Sequence, residues 1–271
     1  MTSRNAEEIV HQAATAFNGG RPDEARRLCE QALRRWPDEP MLNHLLAAVY
    51  FAEGHLRQAR VHVETSLRKA PRHGPARLLA ARIARADGDP GAALAHLDHI
   101  GAPASAGINV VLERARTLDR TDHRRDAAAA WHAVLHIAPQ NREAMARLGR
   151  IAWEDGDLAT ARAQLEGAVA GDCPASTWFD LGVVRQDLRD HAGAASAYRE
   201  ALARGPDHAE AAVNLGIALQ EAGDTEAALV AYRMAYKLNP ATFGTIAMAL
   251  TSAPHGRLWL DEDGLRRSLS A

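Results

Sequence analysis

Residues 209–242, AEAAVNLGIALQEAGDTEAALVAYRMAYKLNPAT, contain two amphipathic helix patterns joined by a short turn. In the first pattern, small and apolar residues recur in steps of three and four, which places them on one helix face: Ala212, Leu215, Gly216 and Leu219. Gly223 interrupts this pattern, and Asp224 can cap a second helix. That helix ends before Pro240, because proline cannot continue it. The stretch therefore predicts a helix-turn-helix unit of 34 residues.

The same unit recurs along the chain. Alanines at one position of the second helix follow each other in steps of 34 residues, with one step of 33: Ala25, Ala59, Ala93, Ala127, Ala161, Ala194 and Ala228. A fixed period of this length predicts a stacked repeat array. We expect seven units: 6–39, 40–73, 74–107, 108–141, 142–174, 175–208 and 209–242. The array would span 1–242, and 243–271 would supply a capping helix and a tail, since the last apolar face needs cover.

The last two units resemble the tetratricopeptide repeat (TPR). The residues that carry the resemblance are Trp178, Leu181-Gly182, Ala194, Tyr198, Ala201 and Pro206, followed by Leu215-Gly216, Ala228, Tyr232, Ala235 and Pro240. The resemblance implies an all-α fold, a right-handed superhelical solenoid of seven helix-turn-helix repeats. It also implies that the first helices line a concave groove in which extended peptides bind.

Composition narrows the class of partner. The formal net charge of -2 argues against bulk electrostatic capture of nucleic acid. No apolar segment is long enough to cross a membrane, and the first residues lack the apolar core of a signal peptide.

Cys29 and Cys173 lie about four repeats apart, which fits a reducing compartment. All but Lys69 and Lys237 of the 32 basic residues are arginine, which is typical of a GC-rich bacterial genome. We therefore expect a cytoplasmic bacterial protein.

Arginines recur on the first helices of three consecutive units. Arg82, Arg116 and Arg150 share one register, and three more arginines lie one turn away: Arg85, Arg120 and Arg147. Guanidinium groups match the geometry of carboxylates, so this strip predicts a binding site for an acidic peptide. The alternative is a solvated face that nearby carboxylates neutralise in part: Glu113, Asp119 and Glu154.

Aromatic side chains flank the arginine strip. Phe51 and Trp153 share a register with Phe17, and His44, Met41 and Phe179 also fall on the predicted inner side. Aromatic residues on a concave wall predict pockets for apolar side chains of a peptide. The alternative is packing between repeats, which the sequence favours for Phe17 and Phe51 more than for Trp153.

One known ligand of the family is not expected here. The chaperone-tail binders of the TPR family hold two carboxylates with lysine, asparagine and arginine. Of the matching inner positions in the last three units, only Asn214 fits, because Asp180 and Glu210 are acidic where a carboxylate would bind. We predict that Asn214 contributes to a peptide site of another kind.

No catalytic motif or cofactor-binding motif is recognisable. His132 and His136, and likewise His96 and His99, have spacings that could bind a metal, but no third ligand is obvious. We therefore expect no cofactor and no metal. The sequence predicts a non-catalytic scaffold that binds an extended, acidic peptide segment in its groove. The alternative is an accessory subunit that presents a peptide or protein substrate to a separate enzyme.

Three segments leave alternatives open. In the tail, Leu258, Trp259 and Leu260 either pack onto the capping helix or dock another protein, including a second copy of this chain. The joints at 101–107 and 171–174 depart from the repeat pattern, and the second is one residue short. Each joint is either a hinge or a tolerated irregularity.

Overall fold

The computed structural model describes residues 2–100, 107–121, 123–252 and 262–270. These ranges contain sixteen α-helices, one short 3-10 turn at Pro240–Thr242 and no strand, so the all-α prediction is confirmed. The helices are α1 (Thr2–Asn18), α2 (Pro22–Leu33), α3 (Pro40–Ala52), α4 (Leu56–Lys69), α5 (Gly74–Ala86), α6 (Pro90–Asp98), α7 (Ile108–Leu118), α8 (Arg124–Ile137), α9 (Arg142–Glu154), α10 (Leu158–Val169), α11 (Ala175–Asp187), α12 (His191–Arg204), α13 (Ala209–Glu221), α14 (Thr225–Leu238), α15 (Phe243–Ser252) and α16 (Glu262–Ser270).

The helices form two compact units, Met1–Ile137 with α1 to α8 and Ala138–Ala271 with α9 to α16. Within each unit, consecutive helices pack as pairs in the order of the repeat pattern, and each pair packs on the next. In the described residues of both units, buried alanines sit where the alanine ladder places them, at the crossing of first and second helices. The single array predicted over 1–242 stays a prediction.

Small residues of the first helix face large residues of the second. A Cβ atom on Gly182 would lie 2.5 Å from a ring carbon of Tyr198, and one on Gly216 would lie 2.3 Å from the ring of Tyr232. Both tyrosines are fully buried. The Tyr232 hydroxyl donates a hydrogen bond of 2.9 Å to Oε1 of Gln220, which satisfies the polar end of the ring. The two helices of a repeat approach closely because glycine leaves room for the ring.

The turn between the two helices of a repeat needs a left-handed backbone residue. Five of the described turns use glycine with positive φ: Gly20, Gly54, Gly88, Gly156 and Gly223. The repeat at 175–208 instead places Arg189 there, with φ of 61°. A residue with a Cβ atom is strained in this conformation, so this turn departs from the favoured chemistry.

The C-terminal helices cover the last repeat. Four apolar side chains of α15 and α16 are buried against α13 and α14: Ile246, Leu250, Leu265 and Leu269. The Arg233 side chain donates a hydrogen bond of 2.8 Å to the carbonyl oxygen of Ser268. Residues 262–270 of the tail therefore act as a cap, as the array end requires. Leu258, Trp259 and Leu260 lie outside the described residues, as do 101–106 of the first irregular joint.

Candidate functional site

The first helices of the unit 138–271 line a cavity of about 560 Å³, which we call the arginine cavity. Residues of α9, the 171–174 joint and the start of α11 form most of its wall. They are Arg142, Glu143, Ala146, Arg147, Arg150, Ala168, Asp172, Cys173, Pro174, Ser176, Thr177 and Asp180. The irregular joint thus forms part of a cavity wall.

The charged groups of the arginine cavity balance formally. Three guanidinium groups face three carboxyl groups, Arg142, Arg147 and Arg150 against Glu143, Asp172 and Asp180. Burial raises the pKa of Asp180, although the charges of Arg150 and Arg147 act in the opposite direction. Desolvation therefore disfavours the charged form of this carboxyl group, and the two arginines favour it.

The amino terminus of α11 adds a second source of positive potential. Pro174 occupies the N-cap position, and no side chain caps the helix. Thr177, in the first turn, is 5% exposed and lines the cavity. A helix amino terminus carries partial positive charge and unpaired N–H groups, so this end of the cavity suits an anionic group.

A second cavity of about 390 Å³, the aromatic cavity, adjoins the first. Helices α9, α11 and α13 supply most of its lining, which is Arg150, Trp153, Leu165, Phe179, Asp180, Val183, Val184, Glu210 and Asn214. Arg150 and Asp180 line both cavities, so the two form one groove along this unit.

Trp153 is held in place by the next repeat. Its indole N–H donates a hydrogen bond of 2.7 Å to Oδ2 of Asp187. In the next two repeats the position equivalent to Trp153 holds a glutamine, and a tyrosine of the second helix donates a hydrogen bond to it. The Tyr198 hydroxyl, for example, donates a hydrogen bond of 3.0 Å to Oε1 of Gln186. The repeat at 142–174 has Leu165 in place of that tyrosine, and the larger indole packs against the leucine. Trp153 therefore both packs between repeats and lines the aromatic cavity.

Phe179 is fixed between two other rings. Its ring centroid lies 4.7 Å from that of His208 in a stacked arrangement, and 5.7 Å from that of Tyr198. Burial raises the pKa of the Tyr198 hydroxyl, which keeps it protonated as a hydrogen-bond donor. The rings of His208 and Tyr198 therefore hold the Phe179 ring in the wall of the aromatic cavity.

The unit Met1–Ile137 uses its arginines differently. Glu113 of α7 is 1% exposed, and Nε of Arg85 donates a hydrogen bond of 2.5 Å to its Oε1 atom. Nε of Arg82 lies 3.6 Å from Oε2, an atom that makes no hydrogen bond to a described residue. In this unit a buried carboxyl group therefore pairs with Arg85, whereas the sequence analysis expected either a peptide site or a solvated face. Arg116 lies one turn further along α7, and Arg120 follows the end of that helix.

Two predicted groove residues of this unit take part in packing. Phe51 is half-buried against the cluster around Ala47 and Val63. The ring of His44 meets that of His73 edge-on, with centroids 5.1 Å apart. Burial, together with the charge of His73, lowers the pKa of His44 to about 4. Neither residue lines the arginine cavity or the aromatic cavity.

The structure brings five predicted residues to one groove: Arg147, Arg150, Trp153, Phe179 and Asn214. Sequence reasoning missed Arg142 and the hydroxyls of Ser176 and Thr177. The short joint at 171–174 was the available signal, because it brings the start of α11 to the wall shared with α9. No group of three His, Cys, Asp or Glu side chains in the described ranges could hold a metal ion. In the same ranges, no helix is sufficiently long and apolar to cross a membrane.

Three family profiles, each described as tetratricopeptide repeat, match the sequence. They cover residues 112–176 and 179–241, 16–83, and 74–99, which together make up well over half of the chain. No curated protein matches the sequence.

Several solved structures share the fold. The chain resembles the Cut9–Hcn1 hetero-tetramer of the APC/C, with a TM-score of 0.67 and 16% identity over 88% of this chain and 48% of that one. It therefore spans about half the length of the Cut9–Hcn1 chain it matches. It also resembles PilW, a type IV pilus biogenesis factor, with a TM-score of 0.64 and 16% identity over 74% of this chain and 94% of that one. Pseudomonas aeruginosa PilF gives a TM-score of 0.64 and 18% identity, over 74% and 92% of the two chains.

Proposed function

The chain belongs to the tetratricopeptide-repeat family, and from that premise we propose that it is a non-catalytic scaffold that binds an extended segment of a partner protein. The segment lies in the groove formed by α9, α11 and α13. An acidic side chain of the segment enters the arginine cavity, and its neighbours contact the aromatic cavity.

The observation that carries this proposal is the arginine cavity itself. Three guanidinium groups line one wall, from Arg142, Arg147 and Arg150, and the uncapped amino terminus of α11 lines another. Planar guanidinium groups bind carboxylates through two parallel hydrogen bonds, and helix amino termini bind anions through backbone N–H groups. A carboxylate of the partner would also provide a hydrogen-bond acceptor for the Thr177 hydroxyl.

The solved structures support the same kind of role. One is a hetero-tetramer of Cut9 with Hcn1, and another is a pilus biogenesis factor. At 16% identity, each supports the repeat fold and leaves the partner of this chain to experiment.

A random peptide library displayed on phage tests the proposal directly. The full chain is immobilised, and binding peptides are selected and sequenced. We expect enrichment of Asp and Glu, and binding that weakens as salt rises, because charge attraction is screened over about 8 Å at physiological ionic strength. The double variant Arg147→Glu with Arg150→Glu should lose this enrichment while circular dichroism shows unchanged helicity.

A matched control reverses two arginines elsewhere in the same unit. Arg162 of α10 and Arg199 of α12 are exposed and line neither cavity. Arg162→Glu with Arg199→Glu changes the net charge equally and should leave the selected peptides unaltered. If both double variants select the same peptides as the unmodified chain, or if no peptide is enriched on the unmodified chain, the proposed groove does not bind the partner.

A further inference from the structure

Acidic side chains outnumber basic ones in the lining of the aromatic cavity. Two carboxyl groups line it, those of Asp180 and Glu210, against the one guanidinium group of Arg150. Arg150 is also shared with Glu154 on its own helix, at 3.5 Å between Nε and Oε1. A partner group with positive charge would therefore find an excess of negative charge in this cavity.

The walls of the aromatic cavity suit a cation with an aliphatic stem. Trp153 and Phe179 supply aromatic rings, and Val183 and Val184 supply aliphatic surface. A cation near the face of an aromatic ring is attracted by the ring quadrupole, most strongly at tryptophan. The indole is oriented by Asp187 and the phenyl ring by His208, so neither ring has to be ordered when a ligand binds.

Other occupants fit this lining less well. An apolar side chain would match the rings but would cover the carboxyl groups of Asp180 and Glu210 without a partner, which is unfavourable. An acidic side chain would be repelled by the same two carboxyl groups. Burial already disfavours the charged form of Asp180, so a neighbouring cation would relieve a penalty that is present in the free protein.

We propose that the aromatic cavity binds a lysine or arginine side chain of the partner segment, whose cationic group lies between Glu210 and Asp180 beside the Trp153 ring. This inference rests on the proposed function, because it assigns a second anchor to the same bound segment. The two cavities share Arg150 and Asp180, so the acidic and basic anchors lie within a few residues of each other. The groove would thus recognise a pair of opposite charges rather than an acidic residue alone.

The test uses the phage-displayed library on the full chain and on Glu210→Gln. Glu210 lines only the aromatic cavity, and glutamine keeps its shape while removing the charge. We expect the unmodified chain to enrich both acidic and basic residues, close together in the peptide. Glu210→Gln should lose the enrichment of Lys and Arg and keep that of Asp and Glu. Glu226→Gln, an exposed change on α14 that lines neither cavity, serves as the control.

A double-mutant cycle with one selected peptide then identifies the contact. Replacing its lysine or arginine by methionine should weaken binding to the unmodified chain about tenfold, as expected for a close charge pair at an interface. The same replacement should have little effect on binding to Glu210→Gln. Enrichment of acidic residues without basic ones, or equal effects of the methionine peptide on both proteins, would overturn this inference and leave the proposed function standing. If the unmodified chain enriches no acidic residues, both this inference and the proposed function are wrong.

Discussion

The arginines of one repeated position have different neighbours in the two units. In Met1–Ile137, the buried carboxyl group of Glu113 accepts a hydrogen bond from Arg85 and lies 3.6 Å from Nε of Arg82. In Ala138–Ala271, Arg150 is half-exposed and lines two cavities, with a carboxylate partner on its own helix. The first arrangement stabilises the contact between α5 and α7, whereas the second leaves a surface that a ligand can reach.

This difference shows that a shared repeat position does not imply a shared role. Arg82 and Arg150 occupy one register in the sequence, and the following first helix places an acidic residue at an equivalent position for each, Glu113 and Asp180. Arg150 and Asp180 both line the arginine cavity, whereas Glu113 is buried and accepts a hydrogen bond from Arg85. The predictions below test how strongly the two arrangements differ.

The largest effect is expected from Arg85→Met. This change leaves the 1% exposed carboxyl group of Glu113 without its hydrogen-bonding partner, and breaking a buried ion pair in this way lowers the free energy of unfolding by about 3 kcal/mol. Urea denaturation followed by circular dichroism measures the loss. Arg60→Met, which removes the exposed ion pair with Asp87, should change stability by less than about 0.5 kcal/mol. Equal losses in the two variants would refute the structural role of Arg85.

The next effect concerns the pH dependence of the same unit. The unfolded chain binds a proton at His44 near pH 6.5, but the folded chain does so only near pH 4. The stability that this neutral ring contributes is therefore present above pH 6.5 and is lost as the pH falls towards 4. We expect His44→Gln to reduce the loss across this window by about 2 kcal/mol, a value discounted for partial exposure. Parallel stability curves for the two proteins would contradict the burial of His44.

A smaller effect is expected at the turn of the repeat at 175–208. Arg189 is left-handed, with φ of 61°, where the other described turns have glycine. Arg189→Gly should raise the free energy of unfolding by about 1 kcal/mol, because glycine adopts this conformation without strain. The reverse change one repeat earlier, Gly156→Ala, should lower it by a similar amount. Thermal denaturation of both variants measures the two changes in stability. If Arg189→Gly is less stable than the unmodified chain, the contacts of the arginine side chain contribute more to stability than the backbone strain removes.

The smallest effect on stability is expected from Arg150→Met. Its side chain is 52% exposed and pairs with Glu154 on the same helix, so its removal should change the free energy of unfolding by less than about 0.5 kcal/mol. Peptides selected on the unmodified chain should nevertheless bind this variant more weakly. Arg85→Met would thus lower mainly the stability of the protein, whereas Arg150→Met would lower mainly its affinity for the peptides. A loss of stability as large as that of Arg85→Met would place Arg150 in the fold rather than in a binding surface.

Much of the fold follows from local sequence. The features that define a helix pair act within one repeat, so the 34-residue period is sufficient to predict the pairs. In the last repeat these features are the close contact of Gly216 with Tyr232, Asp224 before α14, and the proline after that helix. The turn at Arg189 is a feature that local sequence does not fully predict. The repeat period places Arg189 where the other described turns have glycine, but the left-handed conformation of this arginine becomes visible only in the backbone angles.

The candidate site, too, could be predicted from the sequence only in part. The repeat register alone identified Arg147, Arg150, Trp153, Phe179 and Asn214 as residues of the inner side, because side chains spaced by one repeat fall on equivalent faces. It did not distinguish Phe51 and His44, which pack inside their unit, from Trp153, which also lines a cavity.

Local sequence is sufficient to predict an all-helical repeat protein, since helix periodicity, turns and small-to-large packing depend on residues close together in the chain. The folded arrangement was needed to show that Arg85 pairs with Glu113 and that Arg147 and Arg150 line the arginine cavity. The same holds for Asp180 and Glu210, which act together because α11 and α13 pack side by side. Burial and charge pairing depend on distances between different repeats, and a one-dimensional period does not contain those distances.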